Sequence, residues 1–506
     1  MQKKLKILRI MISTLIFILF LAVFCLPNAV GGLINFITSF QVIPALLTMV
    51  STFTIASILI VAALLLVSLI FGRVYCASFC PLGIFQDIII YIADKLGLKP
   101  KKSPQKPLTN LRLGVLVITI LSVVFGSIGL LNLIDPYSLF GRITSTIFKP
   151  AYAAINNTIV SILENFNIYT ISYINLPYRS LALALVVFAL FILLIIFSGL
   201  RGRKYCNSIC PVGTILSFVS KPARFKININ HQECINCKIC ESDCRAGCID
   251  IDNSAIDHTR CTLCFDCIGV CPEGAISYSL TKPRQKSPDN SKRSFVASSF
   301  AFLSLPLLGN QQEGKNGDLP VIPPGGKSHK EFLDKCTGCH LCVNACPSNV
   351  IVPAIMDYGL EGLFQPKLDF NKNYCAYDCK VCTEICPTEA LSELSLEEKQ
   401  LTQLGEVSLN KDQCVVYRND TDCGACIEHC PTHAVYADIR NGIRYPVTDT
   451  DYCIGCGACQ YPCPTDPKAI VVIAHKTHGK AKLPFSDEEK EEETSKDKEN
   501  AEEFPF

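Results

Sequence analysis

The first 200 residues are organised around four long apolar runs. None contains a charged residue, and the runs are Ile10–Leu26, Ile43–Phe71, Leu113–Ile134 and Leu181–Leu200. A helix needs about 20 apolar residues to cross a bilayer, and each run is that long or nearly so. The pattern predicts a membrane α-helical domain with four spans over residues 1–224. The alternative for each run is a helix buried in a soluble core, which four such runs in succession disfavour.

Lysine and arginine are distributed unevenly between the connections. They precede the first run and follow the second and fourth, whereas the connection between the first two runs carries no charge. Cytoplasmic connections of membrane proteins carry an excess of these residues. The N-terminus and the ends of the second and fourth spans are therefore predicted to lie inside. The expected location is the bacterial inner membrane.

A fifth apolar run, Phe295–Leu308, is shorter than a standard span. It follows Lys292 and Arg293 in a stretch that is similar to a twin-arginine export signal with lysine in the first basic position. The short apolar length suits a signal segment, and without an A-x-A cleavage site the segment could remain as a fifth span. We expect the downstream chain to be periplasmic. The alternative is a buried linker helix with everything downstream in the cytoplasm.

Beyond residue 224 the apolar residues occur in short alternating stretches. They predict a compact domain at 225–280, a linker at 281–330, a longer domain at 331–475 and an acidic, disordered tail at 476–506. The predicted strands are Phe225–Ile229, Ala275–Tyr278, Val350–Val352, Ala390–Leu391, Ala434–Tyr436 and Ala469–Ile473.

Composition narrows the class of protein. Charged residues make up 18% of the 506 residues and the mean hydropathy is +0.31. Ordinary soluble domains have about 25% charged residues, so these values disfavour both a single soluble globule and a disordered chain. A net charge of +2 gives no general basic field, and nucleic acid binding therefore has no support. The 30 cysteines are far more than such a chain needs for packing.

Most of the cysteines fall into six blocks of four. Four blocks, the first, second, third and sixth, have the spacing C-x2-C-x2-C-x3-C. Proline follows the last cysteine of every block except the first, where Arg245 stands. The blocks are Cys234, Cys237, Cys240 and Cys244; Cys261, Cys264, Cys267 and Cys271; Cys336, Cys339, Cys342 and Cys346; Cys375, Cys379, Cys382 and Cys386; Cys414, Cys423, Cys426 and Cys430; and Cys453, Cys456, Cys459 and Cys463.

This spacing is typical of bacterial ferredoxins, in which three cysteines hold one [4Fe-4S] cluster and the fourth ligates the other cluster of a pair. We predict six [4Fe-4S] clusters, with all these cysteines as iron ligands, in α+β bacterial ferredoxin-like domains. Disulfides and zinc sites are disfavoured because neither needs the repeated spacing. Among the last four blocks, adjacent and nested pairing both stay open. In residues 225–280, swapped ligation places Cys234, Cys237, Cys240 and Cys271 on one cluster and Cys244, Cys261, Cys264 and Cys267 on the other.

Three cysteine features are not explained by the six cluster blocks alone. Cys336 to His340 matches the C-x-x-C-H haem attachment signature, but both of its cysteines already belong to the third block. Cys25 and Cys248 are outside all blocks and are read as small buried hydrophobes.

A different cysteine motif, C-x3-C-P, follows the second and fourth apolar runs. It comprises Cys76 and Cys80 before Pro81, and Cys206 and Cys210 before Pro211. Each copy is preceded by a tyrosine and basic residues, so the first 215 residues resemble a duplicated two-helix hairpin. If the copies meet at the inner membrane face, they offer four thiolates for one further cluster or for a redox-active dithiol pair. The alternative is a helix cap with idle thiols.

These features carry a resemblance to two protein families. Residues 1–280 resemble the NapH/MauN type of membrane ferredoxin proteins, found with periplasmic nitrate reductase and methylamine utilisation systems. The second half resembles exported NapG/MauM-type polyferredoxins, because Pro323-Pro324-Gly325 precedes Phe332 and Cys336. The chain is interpreted as a fusion of the two, which implies electron transfer from quinol toward a periplasmic reductase. The Lys-Arg signal, the missing proline of the first block and the acidic tail depart from the pattern.

No catalytic constellation is visible: no nucleotide-binding glycine loop, nucleophile elbow or P-loop is present. The predicted function is electron transfer from quinol, or from a quinol dehydrogenase, through the clusters to a partner reductase. Asp135-Pro136-Tyr137 could contact a quinol, although a helix-ending turn explains it more simply. The alternatives are a maturation factor that supplies electrons for assembling a metalloenzyme and a thiol redox sensor.

Overall fold

The computed structural model describes residues 2–98, 108–176, 180–253, 255–280 and 319–483. The apolar run Phe295–Leu308, the preceding twin-arginine-like stretch and the acidic end of the tail lie outside these residues.

Residues 2–219 are helical wherever regular structure is described. The elements are α1 (Gln2–Cys25), α2 (Pro27–Val30), α3 (Leu33–Ser39), α4 (Val42–Thr52), α5 (Ile55–Phe71), α6 (Val74–Ser78), α7 (Pro81–Lys95), α8 (Thr109–Val124), α9 (Gly129–Ile134), α10 (Pro136–Ile143), a π-helix (Thr144–Phe148), α11 (Lys149–Glu164), α12 (Leu181–Arg201), α13 (Lys204–Ser208) and α14 (Pro211–Val219).

Two described helices, α1 and α12, are long and apolar enough to cross a membrane, and a third candidate is the bent pair α3–α4. The other two predicted spans are represented by α5 and α8, which are apolar but shorter. The run Ile43–Phe71 is not one helix, because Phe53 adopts a left-handed conformation with φ 48° and Thr54 caps a new helix. The run Leu113–Ile134 is interrupted at Gly126, whose φ is 80°. The structure thus confirms apolar helices that are long enough to cross a membrane, and the count of four spans stays a prediction.

The two C-x3-C-P motifs lie in structural repeats. In each repeat an apolar helix, α5 or α12, ends at a glycine with positive φ, and a five-residue helix carries the first cysteine. The second cysteine is the N-cap of the next helix, α7 or α14, and proline occupies its first position, where a missing N–H costs nothing. The predicted duplication is therefore visible in the fold.

Residues 225–280 form a small α+β unit. The predicted strand Phe225–Ile229 is β1, and it pairs antiparallel with β4 (Ile276–Leu280), which lies slightly later than predicted. The remaining elements are α15, α16 and the β2–β3 ribbon. Their bounds are β1 (Phe225–Ile229), α15 (Ile239–Ser242), β2 (Ile249–Asp250), β3 (Ala255–Ile256), α16 (Asp266–Val270) and β4 (Ile276–Leu280).

Residues 319–483 form a second α+β region with three two-stranded sheets. The sheets are β5 (Ile351–Pro353) with β6 (Pro366–Leu368), β7 (Thr402–Leu409) with β10 (Ile470–Lys480), and β8 (Val435–Arg440) with β9 (Ile443–Thr448). Residues 319–330, assigned above to the linker, pack in its core, where Ile322 is buried. Ala390–Leu391 is a bend rather than the predicted strand, because the Leu391 N–H donates to the Cys386 Sγ at 3.4 Å. The elements are α17 (His329–Lys335), α18 (Leu341–Ala345), β5 (Ile351–Pro353), β6 (Pro366–Leu368), α19 (Val381–Glu384), α20 (Leu396–Leu401), β7 (Thr402–Leu409), α21 (Val415–Asn419), α22 (Ala425–Glu428), β8 (Val435–Arg440), β9 (Ile443–Thr448) and β10 (Ile470–Lys480).

The two α+β regions contact opposite ends of the helical part. Residues 225–280 meet the C-terminal end of α5, where the Phe71 and Phe225 rings stack with centroids 5.6 Å apart. They also meet the start of α1, where Lys6 pairs with Asp266 at 2.9 Å. Residues 319–483 meet the other ends of these helices. Thr48, ahead of α5, donates to the Pro387 carbonyl at 3.3 Å.

Candidate functional site

The eight block cysteines of residues 225–280 line two pockets, which we call cages 1 and 2. Each cage takes three cysteines from one block and the last cysteine of the other block. This is the swapped arrangement that the spacing predicts, whereas iron ligation itself stays a prediction. Cage 1 contains Cys234, Cys237, Cys240 and Cys271, and cage 2 contains Cys244, Cys261, Cys264 and Cys267.

The last four blocks form four further cages by the same exchange, between the third and fourth blocks and between the fifth and sixth. Pocket linings define cages 3 and 5. In cages 4 and 6, burial raises the pKa of Cys382 and Cys459, and neighbouring cysteines that include Cys346 and Cys430 raise it further. The pairing is therefore adjacent rather than nested. Cage 3 contains Cys336, Cys339, Cys342 and Cys386; cage 4 Cys346, Cys375, Cys379 and Cys382; cage 5 Cys414, Cys423, Cys426 and Cys463; and cage 6 Cys430, Cys453, Cys456 and Cys459.

The four blocks with C-x2-C-x2-C spacing share an unusual backbone. In each, the residues two and four positions after the first cysteine have positive φ. In the second block these residues are Leu263 and Phe265, and the conformation costs about 1–2 kcal/mol at each of them. Alternating conformations of this kind aim successive N–H groups at one point and create an anion-binding concavity. The donor set and the backbone therefore both fit an anionic [4Fe-4S] cluster held by thiolates.

Cages 3 to 6 lie in a row that differs from their order in the sequence. The link between the two pairs is a hydrogen bond from the Cys375 N–H of cage 4 to the Cys456 carbonyl of cage 6, at 2.9 Å. The pKa of Cys459 in cage 6 is raised by its neighbour Cys456 and also by Cys426 of cage 5, so cage 5 lies next to cage 6. The spatial order is therefore cage 3, cage 4, cage 6 and cage 5.

The structure brings the two C-x3-C-P motifs together, and all four thiols, Cys76, Cys80, Cys206 and Cys210, are buried. We call this the four-thiol site. Burial raises the pKa of Cys206 to about 11, and burial followed by the neighbouring thiols raises the pKa of Cys80 and Cys210. Free thiols of Cys80, Cys206 and Cys210 are therefore neutral at pH 7, and binding a metal there would release protons.

Two buried arginines cross between the repeats. Arg203 of the second repeat donates to the Cys76 carbonyl at 2.6 Å. Arg73 of the first repeat donates to the Cys206 carbonyl at 3.4 Å and lies 3.8 Å from the Cys76 Sγ. Among the described residues, the Arg73 guanidinium contacts neutral groups, which also include Asn207 Oδ1 at 2.8 Å. A buried cation normally has an anionic partner, so the site is electrostatically suited to thiolates or to an anionic cluster.

Asp87, on α7, is a carboxylate that pairs with three guanidinium groups. It lies 2.8 Å from Arg9, 2.7 Å from Arg203 and 3.1 Å from Arg245. Burial alone would raise the pKa of this carboxyl, but the three cations outweigh it and hold the pKa well below its usual range. Arg245 also pairs with Asp266 at 2.5 Å. The residue that replaces the expected proline therefore connects cage 2 to the four-thiol site.

Cage 3 meets the helical part on the other side. The Asn132 amide donates to the Cys336 carbonyl at 3.2 Å, and the Arg142 guanidinium lies 4.6 Å from the centre of the Phe364 ring. His340 lies between Phe364 O, at 2.9 Å from its Nε2, and Ser145 Oγ, at 3.3 Å from its Nδ1. Both ring nitrogens are thus engaged, and nothing in this arrangement favours His340 as a haem ligand.

The remaining predicted residues have ordinary roles. Asp135 is fully buried and caps α10, accepting from the Ser138 N–H at 2.8 Å, which confirms the helix-ending turn. Cys248 is buried with its Sγ 3.6 Å from that of Cys244. Cys25 is partly buried. Among the described residues, no group of three or more His, Cys, Asp or Glu side chains could hold a single metal ion.

Sequence reasoning missed Arg73, Arg203 and Asp87. The signal was present, because Gly72-Arg73 and Gly202-Arg203 stand at the same place in the two repeats. Recognising them as partners of the opposite repeat requires knowing that the motifs meet.

Two family models match the chain. One, described as a 4Fe-4S binding domain, matches residues 53–99 and 183–230, and the cysteines inside these two matches are those of the four-thiol site. The other, described as a 4Fe-4S dicluster domain, matches residues 335–390 and 421–466. The models support [4Fe-4S] clusters as cofactors.

The chain is also similar to curated ferredoxin-type proteins. It is 29% identical over 160 residues to the ferredoxin-type protein NapF of Escherichia coli strain K12, covering 31% of this chain and 87% of that protein. It is 25% identical over 213 residues to NapG of the same strain, covering 38% and 88%. It is 27% identical over 164 residues to the methylamine utilization ferredoxin-type protein MauM of Methylobacillus flagellatus, covering 30% and 67%. The predicted similarity to NapG and MauM is confirmed.

Proposed function

We propose that this chain is a membrane-bound iron–sulfur protein that carries electrons from quinol, or from a quinol dehydrogenase, to a partner reductase in the periplasm. In this proposal the chain combines a NapH/MauN-type membrane part with a NapG/MauM-type polyferredoxin. The observation that carries the proposal is the series of cysteine cages on both sides of the buried four-thiol site. Clusters in such cages are one-electron carriers, and a connected series of carriers conducts electrons.

The contacts at the two ends of the helical part support transfer across the membrane. Residues 225–280 pack against the ends of α5 and α12, which the lysine and arginine bias assigns to the inside. The part of residues 319–483 around cage 3 packs against α3 and α10, which belong to connections assigned to the outside. It also packs against α4 and α9, at the outer ends of the second and third predicted spans. The proposed periplasmic location of residues 319–483 agrees with this division.

The four-thiol site is proposed to hold one further cluster or a redox dithiol between cage 2 and cage 3. Its four buried cysteines, the nearby Arg73 and the match of both repeats to a 4Fe-4S binding model support the cluster. Iron analysis of the full chain separates the two. Replacing Cys76 and Cys206 by alanine removes about four iron atoms per chain if a cluster is held there and none if the thiols form a dithiol. Cys25→Ala, which alters no cage, is the control.

The electron donor is tested by adding a chemically reduced quinol to the anaerobic, purified, oxidised chain. The visible absorption of the clusters should bleach as they accept electrons. A chain that no quinol and no quinol dehydrogenase can reduce contradicts the proposal.

Orientation is tested by protease treatment of intact spheroplasts that carry a tag at either end of the chain. The C-terminal tag should be cut, and the N-terminal tag should be protected until lysis. A C-terminal tag that is also protected would place all the cages in the cytoplasm and remove the periplasmic acceptor.

A further inference from the structure

A groove of about 410 Å³ lies where the polyferredoxin region meets the beginning of α5. Its size falls within the range of about 300–1,000 Å³ that is usual for small-molecule sites. One wall consists of residues between positions 35 and 60, and the other of residues between positions 383 and 393. The groove is separate from the four-thiol site and from the Asp135 turn.

One wall of the groove is part of cage 3. Cys386 lines the groove and also lines cage 3 with Cys336, Cys339 and Cys342. A molecule in the groove would therefore touch a predicted ligand of a one-electron centre. In the row of cages 3, 4, 6 and 5, this is the end that adjoins the helical part.

The groove adjoins a surface that lipid would cover. Thr54, Ala56, Ser57 and Ile60 of the α5 wall line it, and the neighbouring Ile55 is 77% exposed. Apolar side chains of a spanning helix are exposed in this way where they face the bilayer. A lipid-soluble molecule could thus enter from the membrane without passing through water.

The chemistry of the walls favours a neutral ring with polar oxygens. Ser39, Thr48 and Ser57 provide hydroxyl groups, while Glu389 and Glu393 provide exposed carboxylates. None of the described residues that line the groove is basic, so an anionic ligand would meet only negative charge. A neutral donor that must lose protons when it is oxidised fits these walls, because carboxylates accept protons.

We propose that the groove binds the headgroup of the membrane quinol, an inference that rests on the quinol donor of the proposed function. On oxidation both O–H bonds of the quinol break, giving the quinone. The two protons pass to the Glu389 and Glu393 carboxylates and then to water. The two electrons reduce two oxidised [4Fe-4S]2+ clusters to [4Fe-4S]+, entering at cage 3 and moving on to cage 4.

The test is photolabelling of the full chain in lipid nanodiscs with an azido-substituted naphthoquinone, followed by mass spectrometric mapping of the adducts. Adducts are expected on residues 35–60 and 383–393. Ala56→Phe, which fills the groove, should lower labelling about tenfold, the loss that ~1.4 kcal/mol of binding free energy produces. Ala63→Phe is the matched control, because Ala63 is exposed two turns further along α5 and does not line the groove.

The possible failures are distinguishable. Adducts at residues 135–137 or elsewhere, or labelling that Ala56→Phe leaves unchanged, overturn the groove while quinol reduction of the clusters still upholds the proposed function. A chain that only a quinol dehydrogenase can reduce overturns the groove alone, and a chain that neither quinol nor a quinol dehydrogenase can reduce overturns both. The electron paramagnetic resonance spectrum after reduction with dithionite should be the same in both variants, which shows that the clusters are assembled.

Discussion

Asp87→Asn is the substitution that most directly tests how the first ferredoxin region is held. The side chain keeps its size but loses the charge that Arg9, Arg203 and Arg245 share. Asp87 is 10% exposed and Arg203 is fully buried, so solvent cannot replace the lost partner. Removing one member of a buried ion pair costs about 3–5 kcal/mol, because the remaining charge is left uncompensated.

This loss converts to a fall in Tm of about 6 to 20 °C, at about 2–4 °C per kcal/mol for a domain of this size. The assay is thermal unfolding of the detergent-solubilised chain, measured as the fraction of protein that stays soluble after heating. The matched control is Asp252→Asn, which removes the partner of Lys238 in a pair whose side chains are 50% and 68% exposed. Exposed pairs contribute about 0–1 kcal/mol, so the control should hardly change Tm.

The pH dependence adds a second criterion. Because the pKa of Asp87 is depressed in the folded chain, its stabilisation is fully present above the ordinary value of 3.8 and is lost as pH falls below it. The difference between the wild-type chain and Asp87→Asn should therefore be constant from pH 8 to about pH 5 and should shrink only in stronger acid. If Asp87→Asn lowers Tm no more than Asp252→Asn does, the buried network does not hold the region and the reasoning is refuted.

Three further predictions concern the cages and their contacts. Cys386→Ser should remove the electron paramagnetic resonance signal of cage 3 and spare that of cage 4, whereas Cys346→Ser should do the reverse. Loss of the cage 5 signal in Cys386→Ser and of the cage 6 signal in Cys346→Ser would instead indicate nested pairing. Gly141→Ala should destabilise the chain by about 1–3 kcal/mol in thermal unfolding, because the added methyl group would overlap the Cys339 carbonyl. The control is Gly114→Ala, which should be neutral or stabilising because no atom lies within 4 Å of the added methyl group. Arg245→Pro restores the proline that follows the last cysteine in the other five blocks. It should nevertheless destabilise the chain by about 3 kcal/mol, because Asp87 and Asp266 lose a shared cation. An unchanged Tm would contradict this prediction.

The sequence predicts the cages better than the helices. Cysteine spacing specifies swapped exchange within 225–280, because three closely spaced cysteines can reach only one cluster. Pairing among the later blocks depends on how distant strands meet, and the spacing of Cys375 or Cys414 carries no information on that. The run Ile43–Phe71 reads as one span since composition does not reveal that Phe53 turns left-handed. In the sequence, Arg73 and Arg203 contribute only to the lysine and arginine bias that predicts orientation, and their pairing with the opposite repeat cannot be read from one repeat alone.

The departure at position 245 has a physical explanation. In the other five blocks the residue after the last cysteine is proline, which fixes the backbone but carries no charge. Arg245 instead joins Asp266, within the first ferredoxin region, to Asp87 of the helical part, and its carbonyl accepts from the Arg203 N–H at 2.8 Å. Cage 3 contacts the helical part through the Asn132 amide and the Cys336 carbonyl. This contact needs no charged side chain after the last cysteine, so the third block keeps its proline. The substitution therefore occurs at the block that Arg245, Asp87 and Arg203 connect to the four-thiol site, where a loose contact would interrupt electron transfer between that site and cage 2.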